Sequence, residues 1–205
     1  MKKEEKNDSV TEKILETARA VFAEKGFDGA RVDEIAQKAG VNKATIYYHI
    51  GDKEKLYNSV IKNSITAMAE SMEENAKGNE EITKKLRAHI LSLLKTTGSA
   101  KGFSQLMLRE VASGANRISD DLIDQMFRTF LATSGILGEG ARKGELIKVE
   151  PMVLHMIIMG STLFLHASAG LRQKVAKRKN LEQATLPIEK LAEQLADFFV
   201  DALKK

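Results

Sequence analysis

The chain has 205 residues, 43% of them apolar, with a formal net charge of +4, two prolines and no cysteine. That length suffices for one large or two small domains, and the apolar share supports a real core, which excludes a bulk-disordered chain. Without cysteine there are no disulfides, thiolate metal sites or cysteine nucleophiles, and the lead-in MKKEEKNDSV lacks the apolar stretch of a secretory signal, so a cytoplasmic location is expected.

In chain order, residues 1–8 read as a flexible charged tail. Ser9 and Glu12 form an S-x-x-E capping box that would start the first helix. Ile14, Leu15, Ala18, Val21 and Phe22 then follow the spacing of a buried helix face, and Gly26 ends it. The segment RVDEIAQKAGVNKATIYYHIGDK, Arg31 to Lys53, is the most informative part of the chain. Val32, Ile35, Ala36 and Ala39 would bury one helix face, Gly40 suits a left-handed C′ position, and Asn42 is a good N-cap. Helix, tight glycine turn, helix is the helix-turn-helix arrangement. Ile46 and Ile50 would anchor the second helix. Lys43, Ala44 and Tyr47 would then face outward, flanked by Thr45, Tyr48 and His49. A helix exposing two tyrosines serves something other than its own stability, and DNA binding is the economical reading. Gly51-Asp52 breaks the chain again before a long helix that Lys53 opens.

From about Thr11 to Tyr57 the chain resembles the DNA-binding domain of the tetracycline-repressor (TetR) family of one-component bacterial regulators. The matching string is KILETARAVFAEKGFDGARVDEIAQKAGVNKATIYYHIGDKEKLY. It combines A-x-x-x-F-A-E-K-G-F, I-A-x-x-A-G-V and T-I-Y-Y-H in order and covers roughly a quarter of the chain. The resemblance implies that Thr45, Tyr48, His49 and Lys53 hold phosphates while Lys43, Ala44 and Tyr47 face base edges, with Asp33 near the groove. Arg31 departs from the Ser or Thr usual in the family. It cannot cap the second helix, but it can pair with phosphate. Ile50 stands where Phe is commoner. Between Met1 and Tyr57 eleven basic residues balance eleven acidic ones. Affinity for a double-stranded DNA operator must therefore come from the placement of Arg31, Lys43, Lys53 and Lys55, with a modest number of phosphate contacts.

Beyond Lys53, periodicity predicts helices near 53–76, 81–97, 102–114, 119–143, 151–170 and 187–204. Breaks fall at Gly78-Asn79, Gly98, Ser113-Gly114, Gly144 and a basic run from Arg172 to Lys179. No alternating strand appears, so the fold class is all-α: a helix-turn-helix head over 9–52 and an antiparallel helical bundle over 53–205. By length and helix order the bundle resembles the TetR-family ligand-binding and dimerisation domain. Met152 to Leu171 contains no Asp, Glu, Lys or Arg. Its length would permit a membrane span, but its histidines and small polar residues favour a buried bundle helix and no membrane partner. Met152, His155, Met156, Met159, Leu163 and His166 would line the interior. Val153, Ile157, Gly160, Phe164 and Ser168, with Leu191, Leu195 and Phe198 of the last helix, would meet a second subunit in a homodimer.

A small apolar or aromatic effector would sit among Met68, Phe103, Met107, Met126, Phe127, Phe130, His155 and Met159, since methionine adapts to irregular apolar surfaces. Met72 and Met156 belong to the same set, and His89, Arg109, Glu110 and His166 are candidates to orient the ligand. Ordinary core or surface roles remain open for each of these residues. His155 and His166, eleven apart, would lie about 16 Å from each other along the axis, too far to share a metal ion. No metal, cofactor or catalytic residue is expected. The preferred reading is a homodimeric repressor released from a palindromic operator by its effector. Two rivals stand: a regulator controlled by a protein partner with no pocket, and an enzyme or carrier with a vestigial head.

Overall fold

The computed structural model describes residues 2–77, 80–100, 102–181 and 186–205. Among these residues it is all-helical: α1 (Lys2–Gly29), α2 (Val32–Ala39), α3 (Lys43–His49), α4 (Lys53–Ala76), α5 (Ile82–Ser99), α6 (Phe103–Ala112), α7 (Asp120–Lys143), α8 (Pro151–Ala167), α9 (Ala169–Lys179) and α10 (Ile188–Leu203). One antiparallel bridge, Leu146 with Lys204, is the only extended pairing among them.

The helices form two compact units, residues 1–65 with 100–123 and residues 66–99 with 124–205. This division differs from the expected boundary at 52/53. The first unit holds the start of α4 and all of α6, because α6 packs on α1. α4 and α7 are each one continuous helix contributing to both units.

In the first unit, Ile14, Ala18, Val21 and Phe22 of α1 are buried as their spacing predicts. Ser9 does not start that helix. The backbone is helical from Lys2, where a tail over 1–8 was expected, because Lys and Glu are good helix formers and an established helix extends one bond per residue. Gly26, at φ 72° and ψ 178°, breaks the span, so 27–29 form a separate short turn. There the half-buried Phe27 lies against the core, its ring 5.1 Å edge-on from Tyr57, with Phe22 5.0 Å edge-on from the same tyrosine. Full burial of a ring such as that of Phe22 contributes about 1.5–3 kcal/mol.

In the second unit α5 packs on α8 and α10. Gly98 does not break α5, which runs on to Ser99. A Cβ at Gly98 would lie 2.5 Å from the His166 ring, so the glycine serves close packing rather than a turn. The expected break at Gly78-Asn79 lies outside the described residues. The helix expected over 151–170 ends at Ala167, and the basic run forms α9 instead of a linker. Ser168 marks the bend of 59° between α8 and α9. Arg172 donates to the Leu165 carbonyl and, at 2.7 Å, to Ser168 Oγ, placing a cation on the carbonyl end of α8. Among the described residues no single helix is long and apolar enough to cross a membrane; only the bent pair α8 and α9 meets that test jointly.

The phase of α8 also differs from expectation. Leu154, Ile158, Thr162 and Leu163 are buried, while Met152 and Met156, expected inside, are exposed. A helix apolar on every side offers no polar face from which its orientation can be read.

Candidate nucleic-acid interface

α2 and α3 are set by their caps. Gly40 adopts φ 66°, and the N–H groups of Gly40 and Val41 return to Gln37 O (3.1 Å) and Ala36 O (3.0 Å), which terminates α2. Asn42 Oδ1 then accepts from Thr45 N at 2.7 Å and from the Thr45 hydroxyl at 2.8 Å, opening α3. α3 has seven residues and one fully buried side chain, Ile46. Ile50, expected as a second anchor, is half-buried and lies past the helix end. So short a helix persists through its cap and its packing on α2, not through its own length.

Around Ile46 the remaining side chains of α3 face out. Lys43, Ala44, Tyr47 and Tyr48 are exposed, Tyr48 at 85% and Tyr47 at 47%, while Thr45 and His49 are half-buried. The Tyr48 and His49 rings meet edge to face at 5.1 Å. Arg31 and Asp33 are exposed, and Arg31 makes no side-chain cap to α2, in line with its chemistry. Lys43 Nζ lies 3.0 Å from both carboxylate oxygens of Asp33, which raises the lysine pKa through that hydrogen bond. A base edge or phosphate would therefore have to displace Asp33 from Lys43. Lys53, at the start of α4, sits with its ammonium 4.5 Å from the centre of the Phe27 ring and 3.5 Å from Asp28 O.

The residues expected to line one effector cavity fall in both units. Phe103 and Met107 are buried in the first unit, and Met68 and Met72 in the second. Met126 and Phe127 are exposed on α7, since the buried face of that helix is carried by Leu122, Thr129, Ala132, Thr133, Ile136 and Leu137. Phe130, His155 and Met159 are half-buried, with Phe130 edge-on to His155 at 5.8 Å. Glu110, a candidate for a solvated face, is buried and accepts the Tyr57 hydroxyl at 2.7 Å. Burial and this bond raise the Tyr57 pKa. Arg109 reaches Glu24 O at 3.4 Å.

The second unit has a buried polar chain instead. Thr133 Oγ1 lies 3.0 Å from His89 Nε2 and 2.9 Å from His155 Nδ1. Burial lowers the His89 pKa to about 4, aided by the neighbouring His155, and also lowers those of His155 and His166. All three imidazoles are thus neutral hydrogen-bonding groups near pH 7. Thr129 and Thr133 were not singled out from the sequence, because threonine on a helix carries no signal of which way it faces. A cleft of about 560 Å³ lies elsewhere in this unit, lined by Leu91, Leu94, Gly98, His166, Ile188 and Ala192, with Lys95, Glu189 and Glu193 at its polar edges. Among the described residues no group of His, Cys, Asp or Glu is placed to hold a metal ion.

An exposed helix seated on α2 through one isoleucine, with cap and turn in register, defines a helix-turn-helix protein. Residues 14–60 match the model of the bacterial regulatory proteins of the tetR family. Over those residues the chain is similar to that family. It is 41% identical over 64 residues to the HTH-type transcriptional repressor AcnR of Corynebacterium efficiens, covering 31% of this chain and 34% of AcnR. It is 25% identical over 149 residues to the HTH-type transcriptional regulator RutR of Escherichia coli K12, covering 73% of this chain and 70% of RutR. The first curated relatives are thus matched over only about a third of their length. The fold as a whole is similar to that of FadR from Bacillus subtilis, solved in complex with stearoyl-CoA. That likeness has a TM-score of 0.74 at 20% identity and covers 93% of this chain and 97% of the other.

Proposed function

We propose that the protein is a sequence-specific transcriptional regulator, a homodimeric repressor whose α3 helices enter the major grooves of a palindromic operator. The observation that carries this reading is α3 itself, held by Ile46 with Tyr47 and Tyr48 left in solvent. Lys43, Ala44 and Tyr47 read base edges; Arg31, Thr45, Tyr48, His49 and Lys53 hold phosphates; Asp33 releases Lys43 as DNA arrives. The dimer forms through Val153, Ile157, Gly160 and Phe164 of α8 with Leu191, Leu195 and Phe198 of α10. It is supported by an outward apolar face on which Phe164 is 64% and Phe198 66% exposed. Monomeric proteins rarely leave large apolar patches uncovered.

A small apolar effector is accommodated in the cleft between α5, α8 and α10, whose volume lies within the usual range for small-molecule sites. It acts by favouring a spacing of the two reading heads that no longer fits the operator, and DNA weakens its binding by the same factor. A protein partner in place of the effector is the second reading, favoured by the exposure of Met126, Phe127 and Leu131 on α7. Stabilisation on heating with apolar compounds separates the two, since only the first reading predicts a shift.

The function is tested by selecting binding sites from random duplex DNA at near-physiological salt, with Tyr47→Ala in parallel. A palindrome enriched by the parent protein and lost in the variant is expected, at a cost of about 1–3 kcal/mol in discrimination. No enrichment by either protein would refute the proposal.

A further inference from the structure

Lys53 shares its two partners, Phe27 and Asp28, with a residue distant in sequence, Arg117. The Phe27 ring carries two cations, Lys53 Nζ at 4.5 Å and the Arg117 guanidinium at 4.6 Å from its centre. Asp28 serves both. Its backbone carbonyl accepts from Lys53 at 3.5 Å, and its two carboxylate oxygens each lie 3.3 Å from Arg117 Nη2. Arg117 belongs to the connection between α6 and α7, far from Lys53 in sequence, and its backbone is fixed there. Its N–H donates to Glu110 Oε1 at 3.2 Å, while Glu110 Oε2 accepts from Tyr57, whose ring packs on Phe27. Phe27, Tyr57, Glu110 and Arg117 therefore close a ring of contacts inside the first unit.

We infer that Arg117 is a positioning residue for Lys53: by occupying the Asp28 carboxylate and one side of Phe27, it keeps the Lys53 ammonium free for DNA phosphate. The inference rests on the DNA-binding reading of the head. Arg117 is not itself the phosphate ligand, because its charge is already matched by Asp28 and only 28% of its side chain is exposed. Lys53, by contrast, has no carboxylate within ion-pair distance among the described residues, and its partners are a ring and a carbonyl. Without Arg117, Asp28 would present an unmatched carboxylate beside the lysine and capture it. A charge-assisted pair would then compete with the phosphate for the same ammonium.

The experiment measures affinity for a random-sequence duplex, so no operator is needed, for the parent chain, Lys53→Ala, Arg117→Gln, the double variant of these two, and Asp28→Asn with Arg117→Gln. Glutamine keeps an aliphatic stem on the ring, and melting curves check folding. Arg117→Gln is expected to weaken binding about 3- to 10-fold, the Lys53→Ala double variant to bind no worse than Lys53→Ala alone, and Asp28→Asn to restore the lost affinity. Rescue by Asp28→Asn is something a merely structural role of Arg117 would not give. Losses that multiply in the double variant, absence of rescue, or no effect of Arg117→Gln or of Lys53→Ala would each overturn the inference while leaving DNA binding intact. A parent chain that binds no duplex would instead refute the reading of the head.

Discussion

The short helix α3 of the first unit and the helices α8 and α10 of the second expose side chains of opposite kinds. In the first unit, apolar residues are buried around Phe22, Ile35, Ile46 and Tyr57, and α3 offers solvent two tyrosines among polar groups. In the second unit, α8 and α10 leave Val153, Met156, Ile157, Phe164 and Phe198 in solvent while His89, Thr133 and Lys85 lie inside. A surface rich in hydrogen-bonding rings and cations suits a hydrated polyanion. A surface of aliphatic and phenyl groups suits another apolar surface. The helices α3, α8 and α10 thus differ in the chemistry they leave unburied.

The sharpest way to break this contrast is to make similar changes in both units. Phe22→Ala should cost about 3–5 kcal/mol in chemical denaturation, since the ring is wholly enclosed. Phe164→Ala should cost the isolated subunit little, which would be contradicted by a comparable loss. Phe164→Glu combined with Phe198→Glu should yield monomers in sedimentation and weaken operator binding on the order of 100-fold, through loss of two-site engagement. A dimer that survives both charges would show that the outward face of α8 and α10 has another occupant.

The buried imidazoles give a pH signature confined to the second unit. The His89 pKa is lowered to about 4 from 6.5, so between those values the unfolded chain binds more protons than the folded one. Stability therefore falls as pH drops below about 6.5, by up to roughly 3 kcal/mol on reaching pH 4. His155 and His166 act in the same direction. The lowered carboxylates Glu73 and Glu139 lose their stabilising effect only below their ordinary 4.5, so melting curves between pH 7 and 5 isolate the histidines. His89→Leu should flatten that dependence. An unchanged slope would place the sensitivity elsewhere. A modest effect belongs to Asn42→Ala, which removes the cap of α3 and should cost about 1 kcal/mol, seen as faster amide exchange at Thr45 and Ile46.

The head was legible because its signals are local. Gly40, Asn42 and the spacing of Val32, Ile35, Ala36 and Ala39 each specify a backbone conformation or a face within a few residues, and α2 and α3 fall where those signals put them. The second half was legible in its helix limits near 53–76 and 119–143, but not in its faces. Nothing local distinguished Met156, which is exposed, from Ile158, which is buried, or marked Thr133 as the link between two histidines. The role of Glu110 was equally hidden, since its partner Tyr57 lies 53 residues away.

The sequence by itself determined the helical class, the helix-turn-helix and the cap chemistry that sets its turn, because hydrogen bonds and apolar repeats within one or two turns decide these. Only the tertiary structure decided the phase of α8, the helical state of the basic run, the cleft between α5, α8 and α10, and the contacts that join Arg117 to Lys53 through Phe27 and Asp28. Those depend on which distant helices pack together, and an all-apolar helix or a buried charge takes its orientation from neighbours that its own sequence does not specify.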